Sequence, residues 1–436
     1  MRRWLPILLI LSACRAEGDG REEIRAGLDR AFPQEHAVRI RLQVDGGWDA
    51  MEDAYVHDGD REYRPASLAW DGERLDPVGL RIRGQVEDGH GRPSPKQDLR
   101  INFDRMGGSR FHGVDRVDLQ GDFDDPSLMR RHLAARTYRA MRVPVGRTAV
   151  ALVEMDGDAL GVYTMLQPMD RRFLREHFGR REGADDGTLY ECSPPFCHLF
   201  DAGGSKDDYL IPDCGDGQAC GWVLETHELD PARNGYEDLV EFIQWIGAAT
   251  DEEFAAGIED RFDVDGFLRF LAVAVAIGDY DGYLRGYEDF SLYHRPDTDR
   301  WVFIPEDHDR SYGDGKCKGS LEPTGGPVMP PWCGWETRPL GDRILAVDVF
   351  RDAYLAYVEE VATDWLTVEV QGAWIDEYEA ILAAPLAADA AFPFDAAAHL
   401  DALGDTESDW DPPHLLEYVE ARRKRLLEEL VERDAL

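Results

Sequence analysis

The chain has 436 residues, enough for two or three domains of roughly 150 residues each or for one large domain with insertions. Hydrophobic residues make up 43% of the chain and aromatic residues 10%, which excludes a chain that is disordered throughout. The 48 Lys and Arg side chains face 87 Asp and Glu side chains, so the formal net charge is -39. Such a surface repels phosphate backbones at long range, so we expect no nucleic-acid partner.

The first residues have the pattern of a bacterial lipoprotein signal peptide, which we assign to residues 1–14. Two arginines precede an apolar run from Trp4 to Leu11, and this run is too short to span a bilayer. The sequence L-S-A-C that ends at Cys14 resembles a lipobox, so we expect cleavage before Cys14 and lipidation of its thiol. An unlipidated signal with a chance cysteine is the alternative. The expected location is outside the cytoplasm, anchored through this lipid to a bacterial membrane at the periplasmic face or cell surface.

The remaining cysteines predict disulfides in an oxidising compartment. The chain has seven cysteines, and assigning Cys14 to lipid leaves six. We expect pairing within a short cysteine-rich segment and a separate bridge between Cys317 and Cys333, because short loops close more readily. A zinc site is the alternative for the segment, but its C-x4-C and C-x5-C spacings are poorer than the usual C-x2-C pairs. The cysteines of the segment are Cys192, Cys197, Cys214 and Cys220.

Polar and charged residues 15–36 predict a flexible tether that leads into a folded body over residues 37–436. The first part of that body, residues 37–182, is predicted to be a β-rich lobe. Apolar and polar residues alternate with period two over Val38–Val44 and Leu99–Phe103, which is typical of half-buried strands. Leu80–Arg83 shows the same alternation, and Asp156-Gly157 between apolar runs predicts a hairpin.

The second part of the body is predicted to be helix-rich. Residues 183–221 carry four cysteines among many Gly, Asp and Pro residues, which indicates a disulfide-stapled insertion outside the core. Residues 222–436 are mostly helical in pattern, with a strongly apolar face from Val264 to Val275. The predicted fold is therefore α+β, with a β-rich N-terminal lobe followed by a helix-rich C-terminal lobe.

The densest chemical signal lies in residues 277–313. Two short apolar stretches, Asp289–His294 and Arg300–Ile304, flank a turn-rich link and predict a β-hairpin. If that hairpin is centred on its turn, Asp289 lies opposite Glu306 and next to Asp307. We therefore expect carboxylates to gather at the open end of the hairpin.

Clustered carboxylates repel one another unless a cation or protonation offsets the repulsion. Asp289, Asp307 and Asp309 supply oxygen ligands of the kind that Mg²⁺ or Mn²⁺ prefers, and Ca²⁺ is a further option. A loop aspartate, Asp281, precedes the hairpin, in the order that protein kinases use. The alternative is a solvated acidic loop in an acidic protein.

The chain as a whole resembles the spore-coat CotH kinase family. The resemblance rests on the order and spacing of several stretches and covers nearly all of residues 37–436. Its members are secreted or surface proteins with an atypical, kinase-like fold that lacks the usual glycine-rich loop, and they include ATP-dependent protein kinases. The stretches are W-D-A-M near Trp48, V-G-L-R-I-R-G at 78–84, S-P-K-Q-D-L-R-I-N-F-D at 94–104, D-P-S-L-M-R-R-H-L at 125–133, G-V-Y-T-M-L-Q-P-M-D at 161–170, G-T-L-Y at 187–190 and residues 277–313.

The resemblance assigns roles to individual acidic residues. Asp281 matches the catalytic aspartate of the family, which orients or deprotonates the attacking hydroxyl. Asp307 matches the metal-binding aspartate, with Asp309 as the second acid of D-x-D. Asp289 stands where the family usually has asparagine, so an oxygen ligand is retained.

The resemblance also indicates where ATP would be contacted. Lys96 and Arg100 lie in the segment that supplies the phosphate-contacting lysine, and Arg83 is a further candidate. Lys96 preserves the residue type and ranks slightly higher, whereas the mid-strand position favours Arg100.

Several positions depart from the family pattern. Gln167 replaces the usual glutamate, so a lysine–glutamate ion pair is not expected. Asp279 stands where asparagine is common, and Glu306 replaces a frequent tryptophan. His308 occupies a slot that is usually aliphatic, and we expect it to pack or to point outward.

Two functions follow as expectations. The first is a monomeric, lipid-anchored kinase of the CotH type, which transfers phosphate from ATP to a protein hydroxyl outside the cytoplasm with a divalent metal. The second is a noncatalytic cell-surface lipoprotein, a pseudokinase that acts as a structural or adhesion module. Retention of Asp281, Asp307 and Asp309 favours the first function, and Gln167 favours the second.

Overall fold

The structure is a computed structural model. It describes residues 20–84, 96–122, 125–193, 197, 199–214, 219–280, 282–286, 288–313, 324, 326–332, 338–387, 389, 396–403 and 414–434. Four residues with predicted roles lie outside these ranges: Cys14, Asp281, Cys317 and Cys333.

A closed β-barrel forms the first half of the described chain. Its strands run in the order β1-β2-β3-β4-β5-β7-β6, and β1 closes the barrel by pairing in parallel with β6. Every second residue of β1 is buried, because alternate side chains of a strand point to opposite faces. The strands are β1 (Val38–Val44), β2 (Arg64–Trp70), β3 (Glu73–Arg83), β4 (Asp98–Asn102), β5 (Arg116–Gln120), β6 (Thr148–Met155) and β7 (Asp158–Leu166).

A second sheet follows, in the order β12-β11-β8-β10-β9. Its strands are β8 (Thr188–Ser193), β9 (Leu210–Ile211), β10 (Cys220–Leu224), β11 (Phe290–Arg295) and β12 (Arg300–Pro305). The predicted hairpin is confirmed: Phe290 pairs with Pro305, and the Glu306 amide donates to the Asp289 carbonyl at 2.8 Å. Asp289 and Glu306 therefore face each other at its open end, as expected.

The cysteine-rich segment corrects one expectation. We expected residues 183–221 to be an insertion outside the core, but β8 and the start of β10 belong to the second sheet, and β8 pairs directly with β11. The reason is that apolar residues of β8 such as Leu189 and Tyr190 are fully buried. Pairing of the cysteines within the segment is confirmed, since the described ranges contain a Cys192–Cys197 and a Cys214–Cys220 disulfide.

Helices pack against both the barrel and the second sheet. Helix α7 is the most apolar of them over its second half, where every residue from Phe270 to Ile277 is buried. In the part of the chain described here, no helix is both long and apolar enough to cross a membrane. The helices are α1 (Arg21–Ala31), α2 (Trp48–Asp58), α3 (Arg130–Ala140), α4 (Arg171–Phe178), α5 (Glu237–Ala248), α6 (Asp251–Gly257), α7 (Val264–Ile277), α8 (Pro339–Ala346), α9 (Asp348–Glu360), α10 (Val368–Ala387), α11 (Ala396–Leu403) and α12 (Leu415–Asp434).

Helix α1 corrects a second expectation. Half of the segment predicted as a flexible tether, residues 21–31, is helical, and α1 packs against α4. Ile24, Leu28 and Ala31 lie on one face of α1 and are buried, so the helix gains hydrophobic stabilisation from the body of the protein. The predicted α+β class is confirmed, with a β-rich first half and a helix-rich second half.

Candidate active site

A cavity of about 750 Å³ lies between the barrel and the second sheet. Strands β3, β4 and β5 supply one wall through residues such as Arg83, Arg100 and Asp118. Strand β8 and the open end of the β11–β12 hairpin supply the opposite wall, with Glu191 and Glu306. The residues at the open end of the hairpin and the outer face of the barrel therefore line the same cavity.

The barrel side of this cavity is strongly basic. Leu80 and Ile82 of β3 point into the barrel core, so Arg81 and Arg83 must point outward, toward the second sheet. Arg100 of β4 lies directly beside Arg81 in the strand register. Among the residues that the structure describes, seven arginines line the cavity: Arg61, Arg81, Arg83, Arg100, Arg116, Arg131 and Arg147. In a chain with a net charge of -39, this wall therefore concentrates positive charge in one place.

One carboxylate organises the basic wall. Asp118 of β5 accepts from Arg100 through Nε at 2.5 Å and through a terminal nitrogen at 2.7 Å, and it also accepts from Arg83. Burial raises the pKa of Asp118, but the charges of Arg100 and Arg83 outweigh burial and leave that pKa well below its ordinary value. A single carboxylate therefore holds two guanidinium groups at the cavity wall and leaves a net positive charge there.

The hairpin end of the cavity carries the predicted metal ligands. Asp289 and Asp307 both line the cavity, and both have left-handed backbones, with φ of 57° and 47°. Such conformations are uncommon for residues other than glycine and concentrate at functional sites. Asp281 lies outside the described residues, but its neighbour Gly282 lies against Asp289: a Cβ placed on Gly282 would be 3.7 Å from the Asp289 Cβ.

Arg131, at the start of α3, reaches the same aspartates. It forms an ion pair with Asp307, and a terminal nitrogen lies 3.1 Å from Asp309 Oδ2. Loss of water around the carboxylate raises the pKa of Asp307. The charge and hydrogen bond of Arg131 outweigh this effect and leave the pKa below its ordinary value. Asp309 thus belongs to the same cluster as Asp307, joined to it by one guanidinium.

Two glutamates share the sheet wall. Glu191 of β8 lies opposite Ser291 of β11, and the Ser291 hydroxyl donates to the Glu306 carboxylate. Burial and the nearby Glu225 raise the pKa of Glu191 to about 7. Burial and Glu191 raise the pKa of Glu306 to about 8. This wall therefore carries less negative charge near neutral pH than its composition implies.

His308 has a defined partner, which the sequence did not predict. It is 5% exposed, and its Nδ1 lies 2.9 Å from Asp279 Oδ2, which also accepts from the Tyr138 hydroxyl at 2.7 Å. The His308 ring also lies against the Tyr138 ring in a tilted arrangement, with centroids 4.7 Å apart. The expected packing role is therefore observed, together with a hydrogen bond that ties the loop after α7 to the loop after β12.

Lys96 is held in a buried ion pair. Its Nζ lies 2.8 Å from Asp389 Oδ2 and also donates to the Val162 carbonyl at 2.5 Å. Arg83 and Arg100 line the cavity, whereas Lys96 is not among the residues that do so. Of the three candidates for phosphate contact, the geometry therefore favours Arg100 and Arg83 over Lys96, the reverse of our ranking.

Gln167 has a structural role in this arrangement. Its Oε1 accepts from the Arg147 amide at 3.0 Å, and its Nε2 donates to Glu176 at 3.2 Å. Glu176 in turn holds the side chains of Arg139 and Arg147. In place of the lysine–glutamate pair usual in the family, Gln167 and Glu176 form hydrogen bonds and an ion pair that hold the cavity residue Arg147.

The donor chemistry of the hairpin end fits a divalent ion of the magnesium type. Asp289 and Asp307 offer carboxylate oxygens to the same cavity, and such oxygens are the preferred ligands of hard cations. Within the described ranges, no group of three or more His, Cys, Asp or Glu side chains is already arranged to hold a metal. The guanidinium of Arg131 serves as the counter-cation of Asp307 and Asp309.

Sequence reasoning missed most of the basic wall. Arg81 and Arg116 could have been found from the strand alternation alone, because each is next in sequence to an apolar residue of the barrel core, Leu80 and Val117 respectively. Arg61, Arg131 and Arg147 lie on loops or at a helix start, and no local pattern directs their side chains toward the cavity. Only the folded chain brings them there.

Comparisons with known proteins agree on one family. The sequence model of the family described as CotH kinase protein matches residues 80–426. The chain is 27% identical over 253 residues to the Inner spore coat protein H of Bacillus subtilis (strain 168), covering 57% of this chain and 62% of that protein. It is 25% identical over 216 residues to Invasin CotH3 of Rhizopus delemar, covering 48% of this chain and 33% of the invasin.

A further relative and a solved structure also match this chain. Invasin CotH2 of Rhizopus delemar is 26% identical over 196 residues, covering 44% of this chain and 31% of the invasin. The alignments thus span less than two thirds of the length of each of these relatives. The structure titled "Crystal structure of A Helicobacter pylori proinflammatory kinase CtkA" covers 90% of this chain and 96% of its own, at 9% identity and a TM-score of 0.24. A TM-score this low supports no conclusion about the fold.

Proposed function

Since this chain belongs to the CotH kinase family, we propose that it transfers a phosphoryl group from ATP to a protein hydroxyl outside the cytoplasm, with a divalent metal. The observation that carries the proposal is the cavity, which combines seven arginines from the described residues with Asp289 and Asp307 at its hairpin end. Basic residues that bind phosphates, next to carboxylates that bind metal, are the parts that phosphoryl transfer needs.

In this mechanism the chain positions the reactants and handles one proton. Arg83 and Arg100 would bind phosphate oxygens, because guanidinium groups match phosphate geometry. Mg²⁺ or Mn²⁺ held by Asp289, Asp307 and Asp309 would neutralise phosphate charge. Asp281 would accept the proton of the acceptor hydroxyl as its oxygen bonds to the γ-phosphorus and ADP departs.

The proposal is tested by two substitutions that should fail differently. We expect Asp281→Asn to leave nucleotide binding nearly intact but to lower phosphoryl transfer at least about a hundredfold, the lower end of what a positioned base contributes. We expect Asp307→Asn to weaken metal-dependent nucleotide binding itself, because it removes a charged ligand from a hard cation. Labelled-ATP autophosphorylation and calorimetric nucleotide titration of the full chain in detergent measure the two effects.

Both variants keep the side-chain size, so circular dichroism should match the wild type. Equal losses of binding and transfer in both variants would contradict the division of roles. If the wild type binds no nucleotide with Mg²⁺, Mn²⁺ or Ca²⁺ present, the kinase proposal is wrong.

A second candidate function is a noncatalytic cell-surface lipoprotein that acts as a structural or adhesion module. What supports it is that Arg131 holds Asp307 and Asp309, while Lys96 is held by Asp389. Two relatives also carry the name invasin. A wild type that folds but binds no nucleotide would favour this second function.

A further inference from the structure

We propose that Arg131 is a built-in counter-cation that competes with the divalent metal for Asp307 and Asp309. The inference rests on the proposed function, because it concerns the metal site of that reaction. It adds that Arg131 lowers the metal affinity of the site. It also adds that Arg131 holds residues 307–309 in place when no metal is bound.

Each nitrogen of the Arg131 guanidinium contacts a different carboxylate. Nε lies 2.8 Å from Asp122 Oδ1, one terminal nitrogen pairs with Asp307, and the other lies 3.1 Å from Asp309 Oδ2. Asp122 follows β5 of the barrel, whereas Asp307 and Asp309 follow β12 of the second sheet. The guanidinium therefore bridges the two walls of the cavity.

The two sides of this bridge differ in burial. The side chains of Arg131 and Asp122 are 10% and 5% exposed, so their ion pair is largely protected from solvent. The side chains of Asp307 and Asp309 are 43% and 23% exposed, so solvent and ions can reach them. A cation that enters the cavity would therefore exchange with Arg131 at its outer contacts and leave its inner contact in place.

Charge explains why the arginine and the metal exclude each other. One guanidinium contacts three carboxylates, so the carboxylates outnumber the cation within this contact cluster, although Arg83 also acts on Asp307. Yet a metal at Asp307 would lie close to the guanidinium, and two positive charges at contact distance repel strongly in a partly buried site. Arg131 must therefore lower metal affinity while it stabilises the metal-free fold.

A purely structural salt bridge makes a different prediction. In that case, loss of Arg131 would destabilise the protein equally with and without metal. Under our proposal, a metal would replace the missing charge, so the variant should regain stability when metal is added.

The test is a direct titration of the full-length, EDTA-treated protein with MnCl₂. The concentration of free Mn²⁺ is measured at each step from its electron paramagnetic resonance signal. We expect Arg131→Gln to bind Mn²⁺ about tenfold more tightly than the wild type, the lower end of the coupling seen for close charge pairs. Arg131→Lys, which keeps the charge but loses the three-way geometry, should be intermediate. Arg116→Gln is the matched control, because Arg116 lines the same cavity but pairs with Glu225 at 3.6 Å.

Thermal unfolding provides a second measurement. We expect Arg131→Gln to unfold at a lower temperature than the wild type in EDTA and to gain more from MnCl₂. A variant that folds only when Mn²⁺ is present supports the proposal as well. If the Gln variant cannot be purified under either condition, the Lys variant decides by the same titration.

The outcomes separate this inference from the proposed function. If the wild type binds Mn²⁺ and neither Arg131 variant binds it more tightly than Arg116→Gln does, the counter-cation role is wrong while metal binding stands. If only the Arg131 variants bind Mn²⁺, the counter-cation role is supported and metal dependence of the natural protein is contradicted. If no form binds Mn²⁺, both are wrong.

Discussion

Lys96 and Asp389 form an ion pair between positions 293 residues apart, with side-chain exposures of only 2% and 0%. Burial lowers the pKa of Lys96, and the charge of Asp389 offsets only part of that effect. The Lys96 ammonium also lies 4.8 Å from the ring centroid of Tyr163. A lysine held in this way stabilises the attachment of residue 389 to the barrel. This structural role differs from the phosphate contact that we predicted for Lys96 from its residue type.

At this residue scale, we expect Asp389→Asn to lower the free energy of unfolding by about 3–5 kcal/mol, because it leaves a buried ammonium without its counter-charge. The double variant Lys96→Met with Asp389→Leu should lose much less, since neither charge remains. Urea unfolding of the single and double variants measures both effects.

Nucleotide titration of the double variant then locates the phosphate contact. Affinity near that of the wild type, together with a loss in Arg100→Gln, is the result expected from the cavity lining. A large loss of nucleotide affinity in the double variant alone would restore Lys96 as the contact.

At the scale of elements, β8, β11 and β12 bring two carboxyl groups together on one sheet wall. Ionisation of Glu191 and Glu306 is disfavoured in the folded protein, where their pKa values are about 7 and about 8, compared with an ordinary value of 4.5. The unfolded chain loses these protons at lower pH than the folded chain. Stability from this pair is therefore present at low pH and is lost as pH rises through the folded values.

We expect Glu306→Gln to reduce the loss of unfolding free energy between about pH 5 and pH 8 by on the order of 1–3 kcal/mol. The amide can still accept the hydrogen bond of Ser291 but cannot ionise. Chemical denaturation at several pH values measures the difference from the wild type. Glu237→Gln, at an exposed position in the first turn of α5, is the control and should leave the pH profile unchanged. A Glu306→Gln profile parallel to that of the wild type would show that the wall ionises normally.

At the scale of the whole molecule, charge is unevenly distributed. The chain has a net charge of -39, yet seven of the described arginines meet in one cavity. An acidic surface around a basic cavity repels polyanions at long range but binds one that enters, so we expect nucleotide association to become faster as salt screens the surface.

Location is also a property of the whole molecule, and here we propose lipid anchoring at Cys14. We expect the wild type expressed in a bacterium to incorporate labelled fatty acid and to sediment with membranes. Cys14→Ser should lose the label, because the thiol is the acylation site of the proposed lipobox. Label that persists in Cys14→Ser, or a wild type that remains in the cytoplasmic fraction, would contradict the anchor.

Features set by near neighbours in the chain could be predicted from the sequence. The pairing of Phe290 with Pro305 follows from a turn flanked by two apolar stretches, and the inward alternation of β1 follows from its period of two. That Cys192, Cys197, Cys214 and Cys220 pair among themselves follows from short loop closure, whereas the structure supplies the individual pairs. Such features need only local geometry, which residue type and spacing already specify.

The sequence alone therefore determined the α+β class, the hairpin register and the carboxylates at its open end, together with the stretches that indicate the family. Only the tertiary structure decided that β1 closes the barrel against β6, that β8 joins β11, and that Arg131 meets Asp307 across 176 positions. These contacts depend on how whole apolar faces of the barrel, the sheet and α7 bury one another. The direction of an arginine or lysine side chain between such layers is fixed by the space and the charges that packing leaves, and no local pattern contains that information.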